Sequence, residues 1–136
     1  MIHLAGLPPG QRTSRDELAE AADCPEQFLS KVLQSLTRAG LIQSYRGNTG
    51  GFELRPEYRE ASLLQVIEAI EGPVRLNVCL ASEQACSRQS WCPAHPVWEE
   101  AQSAMTEVLR KTTIGGLARK AARSGDGGLV EGPQWN

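Results

Sequence analysis

The sequence predicts a mainly α fold with one small β-hairpin, arranged as a winged helix–turn–helix followed by a long helix. Three observations predict it. Two short amphipathic stretches lie close together over residues 14–39. Two short β-type runs separated by a glycine-rich turn follow directly over 41–54. A long stretch with an apolar stripe opens at Pro96.

The first ten residues read as the end of a helix stopped by Pro8, Pro9 and Gly10. Ser14 and Glu17 form a capping box, which predicts a short helix through Ala22 with Leu18, Ala19 and Ala22 apolar. The next helix is expected to start at Asp23–Cys24–Pro25, with Pro25 in the first turn, where its missing N–H costs little. Phe28, Leu29, Val32, Leu33 and Leu36 recur at helical spacing and predict a buried stripe, with Gln27, Ser30, Lys31, Gln34 and Arg38 opposite. Gly40 reads as the C-terminal cap. Leu41–Tyr45 and Phe52–Leu54 read as strands joined by Arg46-Gly47-Asn48-Thr49-Gly50-Gly51, residues that tolerate positive φ.

Ser62 can cap a further helix bearing Leu63, Leu64, Val66, Ile67 and Ile70, ended by Gly72–Pro73. Residues 74–95 are irregular. Pro96 opens a long helix to Leu109, with Val97, Trp98, Ala101, Met105, Val108 and Leu109 on one side. Thr112–Thr113 and Gly115–Gly116 interrupt it, and a basic helix is expected over Leu117–Arg123. The tail 124–136, with four glycines and a proline, is expected to be disordered. The expected division is a winged unit at 1–59, a linking helix and cysteine loop at 60–95, a helical segment at 96–123, and the tail at 124–136.

With 40% hydrophobic and only 5% aromatic residues among 136, the core must rest on Leu, Ile, Val and Ala. A core this small is often completed by dimerisation or a metal. The net charge of −2 hides an asymmetry. Residues 1–59 carry seven basic and seven acidic groups, 60–100 are acidic, and 101–123 hold five basic groups against Glu107. A neutral segment can still bind nucleic acid if its basic groups share a face. No apolar run reaches the roughly 18 residues of a membrane helix, so no membrane partner is expected. The start lacks the basic residues of a signal peptide, and a cytoplasmic location is expected. No glycine-rich dinucleotide loop follows a strand and no nucleophile–base pair can be placed, so an enzyme is not expected.

The helix over 25–39 has the width and outer chemistry to enter the major groove of double-stranded DNA. Gln27, Ser30, Lys31 and Gln34 can reach bases or phosphates, and Arg46 at the hairpin tip can enter the minor groove or pair with phosphate. Cys79, Cys86, Cys92 and His95 make the pattern C-x6-C-x5-C-x2-H. Three thiolates and an imidazole in an irregular loop suit an iron–sulfur cluster or zinc. A zinc-dependent module that binds DNA, RNA or protein without redox sensing is the alternative. Cys24 stands apart and reads as structural.

The run Phe28-Leu29-x-Lys31-Val32-Leu33-x-x-Leu36-x-x-Ala39-Gly40-Leu41-Ile42-x-Ser44-x-Arg46-Gly47-x-x-Gly50-Gly51-Phe52-x-Leu54 resembles the signature of the Rrf-two family of bacterial transcription regulators, which includes IscR-like and NsrR-like members. The resemblance continues through Ile70-Glu71-Gly72-Pro73 into the cysteine loop, over roughly 1–120. It implies a homodimer joined largely by the long helix, a two-fold symmetric operator, and a cluster whose state alters DNA affinity and so senses iron–sulfur status, redox state or nitric oxide. Cys79, Cys86 and Cys92 match the cluster cysteines, and His95 matches the histidine after the last of them. Base contacts are implied from Glu26, Gln27, Ser30 and Lys31, and Arg46 matches the wing arginine. The first cysteine gap is six residues, where the best-known members have five. Some four-iron members take an acidic ligand from a fuller first helix. None is visible here, which makes His95 the fourth ligand and favours a two-iron over a four-iron cluster.

Overall fold

The computed structural model describes residues 1–123. The expected disordered tail, 124–136, lies outside the described residues. The chain runs α1 (Ile2–Gly6), α2 (Arg15–Ala22), α3 (Glu26–Arg38), β1 (Ile42–Tyr45), β2 (Gly51–Leu54), α4 (Leu63–Glu71), α5 (His95–Lys111) and α6 (Ile114–Arg123). It is mainly helical, and β1 and β2 form one antiparallel hairpin pairing Ile42 with Leu54 and Tyr45 with Gly51. No helix among the described residues is long and apolar enough to cross a membrane.

Local chemistry sets most boundaries. The Ser14 hydroxyl accepts from the Glu17 N–H at 3.2 Å, and the Glu17 carboxylate accepts from the Ser14 N–H at 2.7 Å. The Ser14 N–H, followed by the Thr13 and Ser14 hydroxyls, holds the Glu17 carboxyl below its ordinary value. Ser62 and Gln65 form a second capping box on α4, and Gly72 ends that helix at φ 77. Pro25 sits at the N-cap of α3, one position before the expected first turn, because Asp23 turns left-handed at φ 44 and delays the helix.

The core gathers Leu4, Leu18, Leu29, Leu33, Leu36 and Ile42 with Leu54, Val66, Ile114 and Ala118. Phe28 is not among them. It was expected in the buried stripe, yet it is 61% exposed. Leu29, Leu33 and Leu36 enter the core with Val32 packed beside them, and Phe28 lies off that face.

The C-terminal elements depart most from expectation. α5 covers His95–Lys111, slightly longer than the expected 96–109, and none of its residues is buried. Thr112 breaks it in extended conformation, as expected. The chain then crosses residues 61–63: Leu63 N–H donates to Thr112 O at 2.8 Å and Ile114 N–H to Ala61 O at 3.0 Å. α6 starts at Ile114, not Leu117. Gly115 and Gly116 do not break it, because the crossing needs a small residue: a Cβ on Gly115 would stand 2.6 Å from Arg59 O. Arg119 and the Thr113 hydroxyl both bind the Glu60 carboxylate, holding it below its ordinary value. α6 thus packs against α1, with Ile114 fully buried.

The wing is anchored from its other edge. Phe52 N–H donates to Thr13 O at 2.8 Å, and Thr13 N–H to Phe52 O at 3.0 Å. This approach requires glycine at 51, where φ is 138 and a Cβ would stand 2.6 Å from Thr13 O. Replacing Gly51 by Ala should therefore lower stability by about 1–3 kcal/mol in urea unfolding. An unchanged midpoint would show that the approach is not needed.

Candidate nucleic-acid interface and cysteine loop

The first turns of α3 present the expected polar set. Glu26, Gln27, Lys31 and Gln34 are exposed, and Ser30 is half-buried. Glu26 pairs with Arg15 of α2 at 3.7 Å, which ties the two helices across their turn. The Ser30 hydroxyl donates to Glu26 O at 2.8 Å, so its proton is committed to the helix and only its lone pairs face outward. Arg15, Ser30, Gln34, Arg38 and Ser44 line an open depression between the helices and the hairpin. Arg46 is exposed at the start of the wing loop. The six side chains therefore lie on two neighbouring elements, α3 and the wing.

One residue was missed in the sequence. The Arg12 guanidinium lies 3.5 Å from the Tyr45 ring centroid, donates to Thr49 O at 3.3 Å, and has Nε 3.7 Å from the Glu53 carboxylate. It clamps β1, β2 and their loop from outside. These partners lie more than thirty residues away, so no local pattern marks Arg12.

The four expected metal ligands share one loop and the adjoining helix start. Cys79 lies in a 3-10 turn over Val78–Leu80. Cys86 O accepts from Gln89 N–H at 3.2 Å and Cys92 O from His95 N–H at 3.1 Å. All three thiols are free and half-buried, as is Cys24 in the α2–α3 turn. Among the described residues, no three or more His, Cys, Asp or Glu side chains gather closely enough to hold a metal. The backbone brings the ligands to one segment without converging their side chains.

His95 opens α5 with its side chain only 12% exposed. Its Nε2 lies 3.4 Å from the Glu99 carboxylate. It also lies 3.3 Å from the Gln89 amide; with the amide oxygen turned to accept from His95, the amide nitrogen donates to Glu83 O and Ser82 O. Nδ1 is buried with no partner. A buried nitrogen without a partner is costly, and a second nitrogen held by a carboxylate is the arrangement of a metal-ligating histidine. The donor set thus fits an iron–sulfur or zinc centre in chemistry. The loop is tied to α5 by Gln102, which accepts from Leu76 N–H at 2.9 Å and donates to Val74 O at 2.6 Å. Beyond the loop, α5 leaves Val97 and Val108 about two-thirds exposed, with Trp98 beside them partly so.

Removing the Arg12 clamp by Arg12→Ala should speed hydrogen exchange of the Tyr45 and Phe52 amides about fivefold, the loss of roughly 1 kcal/mol from one exposed cation–π contact. Exchange as slow as in the parent chain would show that the β-pairing alone holds the wing.

Comparison with known proteins agrees with this geometry. Residues 1–120 match the Rrf2 family, described as an iron-dependent transcriptional regulator. The chain is 36% identical to protein aau3 of Rhizobium meliloti over 81% of its own length and 73% of that protein's. The solved structure of CymR, the global cysteine regulator of B. subtilis, is 28% identical, with TM-score 0.67, covering 88% of this chain and 87% of that one. IscR from T. potens is 25% identical, with TM-score 0.68, covering 90% and 80%. The chain belongs to the Rrf2 family of winged-helix, DNA-binding transcriptional regulators, which act on transcription and are not enzymes.

Proposed function

We propose that this chain is a homodimeric repressor that reads a two-fold symmetric operator, and that an iron–sulfur cluster on Cys79, Cys86, Cys92 and His95 sets its DNA affinity. The observation that carries this reading is that the cysteine loop, which joins the winged unit and α4 to α5 along the chain, is tied to α5 by Gln102.

The DNA half follows from side-chain chemistry. The first turns of a recognition helix meet base edges. Gln27 and Gln34 both donate and accept, as adenine requires; Lys31 suits guanine or phosphate; Glu26 can accept from the cytosine amino group. Ser30 accepts through its free lone pairs. Arg46 suits phosphate or a narrow minor groove.

The dimer half follows from α5. Val97, Trp98 and Val108 leave an apolar helix face in water, and a second copy of the chain is the proposed cover. Two recognition helices must then stand about 34 Å apart to meet successive major grooves. The chain's own residues do the coupling. Gln89 joins Ser82 and Glu83 to His95, Glu99 holds His95 from the next turn of α5, and Gln102 holds Val74 and Leu76. A change in loop order thereby reaches the helix that sets the spacing. When bound, the cluster supplies a state sensitive to electrons or nitric oxide. A cytoplasmic site of action belongs to this proposal, since the thiols must stay reduced.

The same donor set, three thiols and an imidazole, also suits zinc as a structural centre, which is the second reading. Protein purified and reconstituted without oxygen separates the two. The cluster reading predicts visible absorption with bound iron and sulfide, lost in Cys86→Ser. Zinc without iron would refute it. For the DNA half, Lys31→Ala and Arg46→Ala should each weaken binding to a duplex selected from a random pool. Where the lost contact is to phosphate, the slope of log affinity against log salt should fall by about one unit. Unchanged binding removes that residue from the interface.

A further inference from the structure

We propose that Phe28 is a specificity-determining residue whose ring packs on the 5-methyl group of a thymine in the major groove. The proposal rests on the DNA-binding reading above and adds a base preference that the polar residues do not impose.

Phe28 stands out on burial. Its neighbours Leu29, Leu33 and Leu36 are 8%, 3% and 2% exposed, whereas Phe28 is 61% exposed. Among the described residues of 1–59 it is the one exposed large hydrophobic side chain; Val78, Trp91, Val97 and Val108 lie on the cysteine loop and α5. The ring is therefore outside the core cluster that Leu29, Leu33 and Leu36 enter.

Its place in α3 identifies the occupant. Phe28 is the third residue of the helix, within the turn that meets base edges when such a helix enters the groove. Exposed Gln27 precedes it, and exposed Lys31 follows three residues on, on the same side of the helix. The ring therefore borders the polar set that would face DNA. The major groove is lined by donors and acceptors, and its one apolar feature is the thymine methyl. Gln, Ser and Lys can satisfy several bases, but a methyl contact separates thymine from cytosine and from uracil.

The test uses the full chain and a duplex selected by it from a random pool. Each thymine is replaced singly by deoxyuridine, which deletes only the methyl. The parent chain should lose about fourfold in affinity per half-site at one symmetric thymine, the worth of one buried methyl. Phe28→Ala should bind the thymine duplex more weakly and be indifferent to that replacement, and Phe28→Leu should keep part of the sensitivity. Because the ring is exposed, circular dichroism and solution mass should match the parent. If Phe28→Ala remains as sensitive to deoxyuridine as the parent, or no thymine is sensitive, the proposal is overturned. A changed solution mass with unchanged deoxyuridine sensitivity assigns the ring to a partner copy and also overturns it. Failure of the parent chain to select any duplex overturns the DNA-binding reading, and this proposal with it.

Discussion

The pairing of Thr13 with Phe52 is the constraint on which the rest of the molecule depends. Thr13 lies just before Ser14, the cap of α2, so one short segment both starts the helix–turn–helix and forms the outer edge of the wing. The hairpin alone has two strands of four residues, and an isolated pair of that size is marginal in water. Pairing on its second edge and the Arg12 clamp fix it to the segment that caps α2. Glycine at 51 is the structural condition for that approach. The signature run thus encodes a geometry between two elements.

A second crossing divides the molecule differently from the linear sequence. Residues 112–114 pair with 61–63, which returns α6 to α1 and the main core and leaves α5 outside it. It packs on α4 with Met105 and Leu109 half-buried and holds the cysteine loop through Gln102, while Val97, Trp98 and Val108 remain uncovered. A helix with no residue buried in the core of its own chain, packed chiefly on α4 besides the loop, can respond to that loop on one side and to a second copy on another. That separation is the physical basis of the proposed coupling between loop and DNA spacing.

Much of this fold was legible in the sequence because it is written in local chemistry. Ser14 with Glu17, Ser62 before α4, Gly72, and the Arg46–Gly51 turn each act within a few residues. What was misread depends on distant neighbours. Phe28 fits the helical period, but periodicity does not tell which flank an adjoining helix covers. Gly115 and Gly116 read as breakers, yet close passage beside Arg59 makes glycine the residue that α6 requires there. Arg12 finds Tyr45 and Glu53 only after folding. For the candidate site, spacing placed Gln27, Lys31 and Arg46 on exposed positions and put four ligand types in one segment. It could not reveal the Gln89–His95–Glu99 chain or the partnerless Nδ1, which exist only in three dimensions.

The central claim is that the state of the loop over residues 74–95 is felt at the DNA surface. The direct measurement compares one selected duplex with two forms of the protein, reconstituted without oxygen and stripped by chelator, in the parent chain and in a chain with Cys79, Cys86 and Cys92 all replaced by Ser. The account predicts that the two parent forms differ in affinity by about tenfold or more, a coupling within the usual allosteric range, and that the triple variant gives one affinity under both treatments. Equal affinities for both parent forms would contradict it, leaving a winged DNA-binding protein whose cysteine loop plays no part in control.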